Sequence, residues 1–178
     1  MVTLDSIPIH NFMNQGSAPC PTMPQVFARY KEKWCSDIWY KPKLRTYCLI
    51  KDTYSVEPYV KYNLSRRQRS LCAQIRSGTL PLALETGRFN SIPEEERNCL
   101  FCELGEIENE LHFLFYCPKY DGIREVFINK MCLIYDDFLE LDDYEKTALC
   151  FSKGVFAVAD FICQAWERRQ NSLYNSEI

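Results

Sequence analysis

The stretch "RNCLFCELGEIENELHFLFYCPKY", residues 97–120, holds three of the chain's ten cysteines and one of its two histidines. Its ligand-type residues follow the spacing Cys99-x2-Cys102-x9-His112-x4-Cys117. Two cysteines separated by two residues can hold one ion from a tight turn, and three thiolates with one imidazole form a common zinc-binding set. Because four protein ligands leave no open position, the spacing predicts a structural Zn²⁺ site rather than a catalytic one.

The same residues have a second interpretation, as buried small thiols beside an ordinary core histidine. The chain uses cysteine freely elsewhere, at Cys20, Cys35, Cys48, Cys72, Cys132, Cys150 and Cys163. The first 25 residues lack the basic and apolar segments of a secretory signal, so reduced thiols and an intracellular location, nucleus or cytoplasm, are expected. A spacing that includes a histidine favours zinc over the alternative of core thiols.

Four glutamates, Glu103, Glu106, Glu108 and Glu110, lie within this same stretch. Three thiolates, a neutral imidazole and Zn²⁺ together already carry a charge of about −1. The segment is therefore predicted to repel phosphate and to support the fold rather than to contact nucleic acid.

Basic residues are concentrated upstream of the cysteines. Residues 27–76 hold 12 Lys and Arg against 4 Asp and Glu, a charge of +8, whereas the rest of the chain carries −11 and the net charge is −3. A basic half beside an acidic half indicates a surface that faces a polyanion. The alternative is that both halves simply have solvated charged faces.

The best-defined helix of the basic segment is "NLSRRQRSLCAQIRSG", residues 63–78. Ser65 is the predicted N-cap, and Gly78 stands where a helix would end. At about 100° per residue, one arc carries the apolar residues Leu64, Leu71, Cys72 and Ile75. A separate arc carries Arg66, Arg69 and Arg76, which are suited to bidentate contacts with phosphate oxygens.

Helical spacing also dominates the rest of the chain. One helix is predicted from Val26, with Phe27, Tyr30, Trp34 and Ile38 on one face and Pro42 at its end. Another is predicted over residues 120–135. A single long helix is predicted over residues 141–170, capped by Asp142 and Glu145, with a core-facing stripe of Ala148, Phe151, Val155, Val158, Ile162 and Ala165.

These patterns predict a mainly α fold, a small helical domain with one structural zinc-binding loop. The predicted boundaries are a flexible lead-in at 1–24, one domain at 25–173 that contains the zinc-binding segment 97–120, and a tail at 174–178. No apolar run approaches 18 residues, so no membrane span is expected.

The sequence offers little for catalysis. "IYDD", residues 134–137, carries a pair of aspartates like those of polymerases, but Ile stands two positions before them and no β context surrounds them. No phosphate-binding, dinucleotide-binding, serine-hydrolase or HExxH motif is present. The chain is therefore expected not to be an enzyme.

Three segments together resemble the C-terminal, post-polymerase region of non-LTR retrotransposon reverse transcriptases. They are "PKLRTY" (42–47), "VEPYVKYNLSRRQRSLCAQIRSGTLPLALETGRF" (56–89) and "ERNCLFCELGEIENELHFLFYCPKYDGIR" (96–124). The resemblance implies a zinc-stabilised helical module that helps a polymerase or its ribonucleoprotein to hold nucleic acid. Carried over by position, the ligands are Cys99, Cys102, His112 and Cys117. The endonuclease and polymerase of that family are missing, so a fragment, a truncated element copy or a host-adopted module is expected.

The leading prediction is a nucleic-acid-binding accessory module that contacts RNA or DNA through segment 27–76, with a polymerase or another protein as a further partner. The predicted contacts are Arg66, Arg69, Arg76, Lys41, Lys43 and Arg45. One alternative is a protein-interaction or scaffold module whose acidic half docks a basic partner. Another is a decayed element copy without a selected function.

Overall fold

The computed structural model describes residues 22–51 and 53–176. Within these ranges the α-helices are α1 (Met23–Tyr40), α2 (Arg45–Ile50), α3 (Arg66–Arg76), α4 (Ala83–Phe89), α5 (Asp121–Ile134), α6 (Asp143–Ser152) and α7 (Val155–Ser176). Short 3₁₀ turns lie at Pro42–Leu44, Pro58–Lys61, Glu94–Glu96, Pro118–Tyr120 and Phe138–Glu140, and a π-helical turn at His112–Tyr116. The β pairing in the described chain is the isolated antiparallel bridge between Asn98 and Ile107. The mainly α prediction is confirmed.

Helix α7 lies at the centre of the domain and packs against α3, α5 and α6. Helix α3 buries the predicted apolar arc against it, with Leu64, Leu71, Cys72 and Ile75 each less than 7 % exposed. The predicted cap is present, because Ser65 Oγ accepts a hydrogen bond from Gln68 N at 3.2 Å. The side chain of Gln68 also donates to Asp160 Oδ1 of α7 at 2.9 Å. These contacts fix α3 along one side of the central helix.

The single long helix predicted over residues 141–170 is wrong. The chain forms α6 and α7 instead, and their axes differ by 105°. Lys153 N and Gly154 N both donate to Leu149 O, at 2.9 and 3.1 Å, which ends α6. The predicted Asp142 cap on α6 is present, with Glu145 N donating to Asp142 Oδ1 at 2.8 Å. Most of the predicted apolar stripe is still buried, because both helices turn the same face to one core.

Gly154 makes this corner possible because a side chain there would occupy filled space. A Cβ at this position would overlap Sδ and Cε of the fully buried Met131. We expect Gly154→Val to lower the free energy of unfolding by about 1–3 kcal/mol through overpacking, measured by urea denaturation. Gly122→Ala in α5 is the matched control, since a Cβ there meets nothing within 4 Å. That variant should be neutral or more stable by up to about 1 kcal/mol, and equal losses for both variants would contradict the argument.

Helix α1 contacts α2 through Trp34 and Ile38, and much of the rest of α1 is exposed. Ile38 is buried and Trp34 is half-buried, but Phe27 and Tyr30 are each 58 % exposed. The predicted apolar face of α1 is therefore only partly used inside this chain. Residues 1–21, most of the predicted lead-in, lie outside the described residues, as do residues 177–178 of the predicted tail. Helix α7 runs on through Ser176, beyond residue 173.

No single described helix is long and apolar enough to cross a membrane. Helices α6 and α7 pass that test of length and composition only as a bent pair. Their apolar residues form much of the core, as expected for helices that pack within a domain.

Candidate metal centre

The first two cysteines of the site lie on a short hairpin, residues 97–108, which we call the metal hairpin. Its arms are held by two backbone hydrogen bonds, Cys99 N to Glu106 O at 2.8 Å and Glu108 N to Arg97 O at 3.0 Å. Gly105 closes the turn with a φ of +69°, a conformation that favours glycine. The hairpin thus places Cys99 at its base and Cys102 at its tip.

His112 begins the π-helical turn His112–Tyr116, and Cys117 is its C-cap. Cys117 N donates to His112 O at 2.8 Å, which is the hydrogen bond that defines such a turn. In an α-helix, two residues five apart point well away from each other, and the wider π turn brings them towards one side. Asn109 Oδ1 accepts from His112 N at 2.8 Å and fixes the start of the turn.

Hairpin and turn bring the four predicted ligands together. Their ligand atoms all lie within 4.8 Å of one another, so the group could hold one metal ion. Cys99 Sγ lies 3.8 Å from Cys117 Sγ, and Cys102 Sγ lies 3.4 Å from His112 Nε2. Three of the four residues are buried and Cys102 is half-buried. This convergence supports the metal-site interpretation, and the metal content of the purified chain distinguishes it from buried thiols beside a core histidine.

Hydrogen bonds within the cluster shift the pKa values of two of its thiols in opposite directions. The pKa of Cys117 is lowered because Cys99 hydrogen-bonds to it and stabilises its thiolate. The same contact, together with burial, raises the pKa of Cys99 to about 12. Binding of a metal ion requires deprotonated thiols and a neutral imidazole, so loading releases protons to solvent.

Glu106 orients the histidine for this role. Its Oε2 lies 3.0 Å from His112 Nδ1, which leaves Nε2 facing the cysteines. A carboxylate behind the far ring nitrogen is a common arrangement for metal-bound histidine, because it fixes the tautomer and the ring orientation. From the sequence, Glu106 is predicted only to repel phosphate, and its contact with His112 has no signal in the spacing of the ligands.

We expect Glu106→Gln to weaken metal affinity by about 10- to 100-fold, the usual cost of losing such a partner. The measurement is competition with a chromophoric chelator at fixed pH. Glu103→Gln is the matched control, since it removes the same charge from an exposed position on the same hairpin. An equal loss of affinity in both variants would indicate a general charge effect and would exclude the orienting role.

The metal hairpin is tied to α7 by a buried ion pair. Arg169 Nη2 donates to Glu108 Oε2 at 2.8 Å, and both side chains are at most 7 % exposed. Ala83 N at the start of α4 donates to the same oxygen at 2.6 Å. The Arg169 guanidinium also lies 4.4 Å from the ring centre of Phe101, between the two hairpin cysteines. Glu108, one of the four glutamates of this stretch, is therefore buried and has a cationic partner within the domain.

Three of the predicted nucleic-acid contacts have carboxylate partners inside the domain. Lys43 Nζ lies 2.9 Å from Glu85 Oε1, and Arg45 donates from Nε and Nη2 to Glu110 at 2.9 and 2.6 Å. Arg76 is 2 % exposed and pairs with Glu57. The placement of Arg76 on an exposed stripe is wrong, because α2, α6 and the turn Pro58–Lys61 cover that edge of α3.

The remaining predicted contacts, Arg66, Arg69 and Lys41, are exposed. Arg67, which the sequence analysis left out, is exposed beside them on α3. Asp136 and Asp137 of "IYDD" are exposed in the turn that follows α5, in keeping with a solvated acidic junction.

Comparisons with known proteins add no relative. No family model, curated protein or solved structure matches the chain.

Proposed function

We propose that this chain is a zinc-stabilised module that binds nucleic acid through α3. The choice of zinc rests on the ligand set. Three thiolates with one imidazole suit this ion and exclude hard cations, which prefer oxygen ligands. Ideal Zn–S and Zn–N bonds give tetrahedral edges of about 3.8 Å between sulfurs and about 3.6 Å between sulfur and nitrogen. Two of the six separations, 3.8 and 3.4 Å, are close to these edges, and all six are within 4.8 Å.

The role proposed for the zinc is structural. Four protein ligands fill a tetrahedron and leave no position for a substrate or an activated water. The ion would instead join the metal hairpin to the π turn, and through Glu108 and Arg169 to α7. A module of this kind supports binding by another surface and carries out no chemistry itself.

The observation that carries the nucleic-acid proposal is the exposed cationic end of α3. Arg66, Arg67 and Arg69 lie within four residues, and among the described residues none of them forms an ion pair. Three guanidinium groups held by one helix suit a run of phosphates. This agrees with what the resemblance to the post-polymerase region implies, an accessory module for a polymerase that holds RNA or DNA.

The test is fluorescence anisotropy of labelled RNA and DNA as the salt concentration is raised. Affinity should fall steeply with salt, and replacement of Arg66, Arg67 and Arg69 by alanine should weaken binding and flatten that slope. A matched control replaces three lysines elsewhere, Lys119, Lys146 and Lys153, and keeps the net charge of both variants equal. Affinity that does not change with salt, or an equal loss in both variants, would overturn the proposal.

A protein-interaction module is the second candidate, and the exposed apolar residues of α1 favour it. Met23, Phe27 and Tyr30 lie within about 60° of one another around this helix and are each at least 58 % exposed. Large exposed apolar side chains grouped on one element are typical of protein-binding surfaces. Under this alternative, polar replacement of Phe27 and Tyr30 abolishes partner binding, whereas the α3 arginine variant leaves it intact.

A further inference from the structure

A shallow groove of about 600 Å³ runs between α3 and α7. It is lined by Arg66, Arg67, Ser70, Leu71, Trp166 and Gln170, and we call it the α3–α7 groove. Its α3 wall carries two exposed guanidinium groups, and its α7 wall carries one indole and one amide. No carboxylate is among these lining residues. The groove thus combines positive charge with one large aromatic ring.

The indole of Trp166 is held in place from its inner side. The Arg169 guanidinium lies 5.4 Å from the Trp166 ring centre and 4.4 Å from that of Phe101. Arg169 is itself fixed by its ion pair with Glu108 of the metal hairpin. The Trp166 ring is half-buried, and part of it lines the groove. Arg169 connects its buried part to the metal hairpin. A ring held in this way loses little conformational entropy when a flat ligand stacks on it.

A second groove lies between α5 and α7, and its lining residues differ from those of the α3–α7 groove. Its lining includes Ile123, Glu167 and Arg168, so a carboxylate accompanies its arginine, and no aromatic residue lines it. The α3–α7 groove therefore offers partners to both a phosphate and an exposed base, whereas the α5–α7 groove has no aromatic ring among its lining residues and places a carboxylate beside its arginine.

We infer that the α3–α7 groove binds single-stranded nucleic acid, with one unpaired base stacked on Trp166 and adjacent phosphates held by Arg66 and Arg67. The inference rests on the proposed nucleic-acid function and names the form of the ligand. Base stacking on an aromatic side chain combined with cations along the backbone is how single strands are held without sequence preference. A duplex keeps its bases stacked inside and cannot offer one to the indole. The amide of Gln170 and the hydroxyl of Ser70 suit the polar edge of a base.

The experiment follows the fluorescence of Trp166 in a chain that carries Trp34→Phe and Trp39→Phe, which leaves Trp166 as its one indole. The probes are an oligothymidylate of about 12 nucleotides, within the usual span of single-strand sites, and a duplex of the same length. Stacking should quench the indole as the single strand saturates one site per chain. Trp166→Ala should weaken single-strand binding by about tenfold or more, with duplex binding unchanged.

Two controls separate stacking from damage to the fold. Trp166→Phe keeps an aromatic face and should retain most of the affinity, and Arg168→Ala removes one guanidinium from the other groove and should have little effect. Circular dichroism and metal content confirm that each variant is folded. If Trp166→Ala fails to fold, the quenching and the phenylalanine variant decide the matter.

The outcomes distinguish this inference from the proposed function. Single-strand binding that neither quenches Trp166 nor depends on an aromatic residue at that position overturns the inference and leaves nucleic-acid binding by α3 in place. Tighter binding of the duplex than of the single strand likewise overturns the inference and leaves nucleic-acid binding by α3 in place. A chain that binds neither probe overturns both proposals.

Discussion

Chelation of the zinc ion proposed at Cys99, Cys102, His112 and Cys117 should destroy the cooperative folding of this domain. Structural zinc sites contribute an apparent 10–16 kcal/mol, roughly, to the folding of small domains. The net stability of a whole domain is only about 5–15 kcal/mol. The two arms of the metal hairpin are joined by one isolated β-bridge. Without an ion, several protonation states would compete at the buried cysteines and histidine of the site.

The measurement is native mass spectrometry with and without a chelator, alongside circular dichroism during thermal unfolding. One ion per chain is expected, and its removal should broaden the unfolding transition and reduce the helical signal. Cys117→Ser should act like the chelator, with a loss of several kcal/mol in the free energy of unfolding. Cys35→Ser, at a half-buried position on α1, is the control and should cost no more than about 1 kcal/mol. A metal-free chain with an unchanged transition would show that the cluster consists of core thiols.

The parts of the fold that depend on neighbouring residues could be predicted from the sequence. The cap at Ser65, the cap at Asp142 and the apolar arc of α3 depend on spacings of three or four residues. The four candidate ligands likewise lie within a span of nineteen positions, so their spacing alone indicated that they could meet. The π turn that orients His112 and Cys117 towards each other has no comparable signal in the sequence. The helical periodicity of the apolar residues is the same with or without one wide turn.

The corner at Gly154 shows where periodicity misleads. Phe151, Val155 and Val158 continue one apolar repeat across the corner, because α6 and α7 press the same face against one core. Nothing in the repeat marks the change of direction. Gly154 itself was the one local signal, and its meaning depends on Met131 of α5, which lies far away in the sequence.

The charge asymmetry of the sequence is partly explained by ion pairs between distant residues, which local patterns could not reveal. Arg45 pairs with Glu110 and Lys43 with Glu85, across 65 and 42 positions. Part of the basic half is thus neutralised by the acidic half inside the domain. The exposed basic surface is therefore smaller than the charge of segment 27–76 indicates, and Arg66, Arg67 and Arg69 at the N-terminal end of α3 are part of it. Arg76 lies only about 40° from the buried Cys72 around α3, so a small extension of the buried arc encloses it.

The buried position of Arg76 leads to the second large prediction, that Glu57→Ala should destabilise the domain by about 3–5 kcal/mol. Glu57 pairs with Arg76 and lies 3.3 Å from Lys51 Nζ, and these two cations are at most 6 % exposed. It also accepts a hydrogen bond from Tyr47 at 2.9 Å, and burial together with this contact raises the pKa of Tyr47 to about 12. Without the carboxylate, two buried cations would share one site with no counter-charge. Urea denaturation measures the loss.

A double variant distinguishes the loss of an ion pair from the loss of a buried counter-charge. Removing one partner leaves an uncompensated charge, whereas replacing both with apolar side chains of similar volume is often neutral. The rings of Tyr47, Tyr59 and Phe151 lie 5.1–5.8 Å from the Arg76 guanidinium and would accept an apolar chain. Glu57→Leu with Arg76→Met should therefore recover much of the stability lost in Glu57→Ala, although Lys51 keeps the recovery incomplete. Glu32→Ala, at an exposed position on α1, should change stability by less than about 0.5 kcal/mol. If Glu57→Ala were as mild as Glu32→Ala, Arg76 would have to reach solvent, and its place among the exposed cations of α3 would be restored.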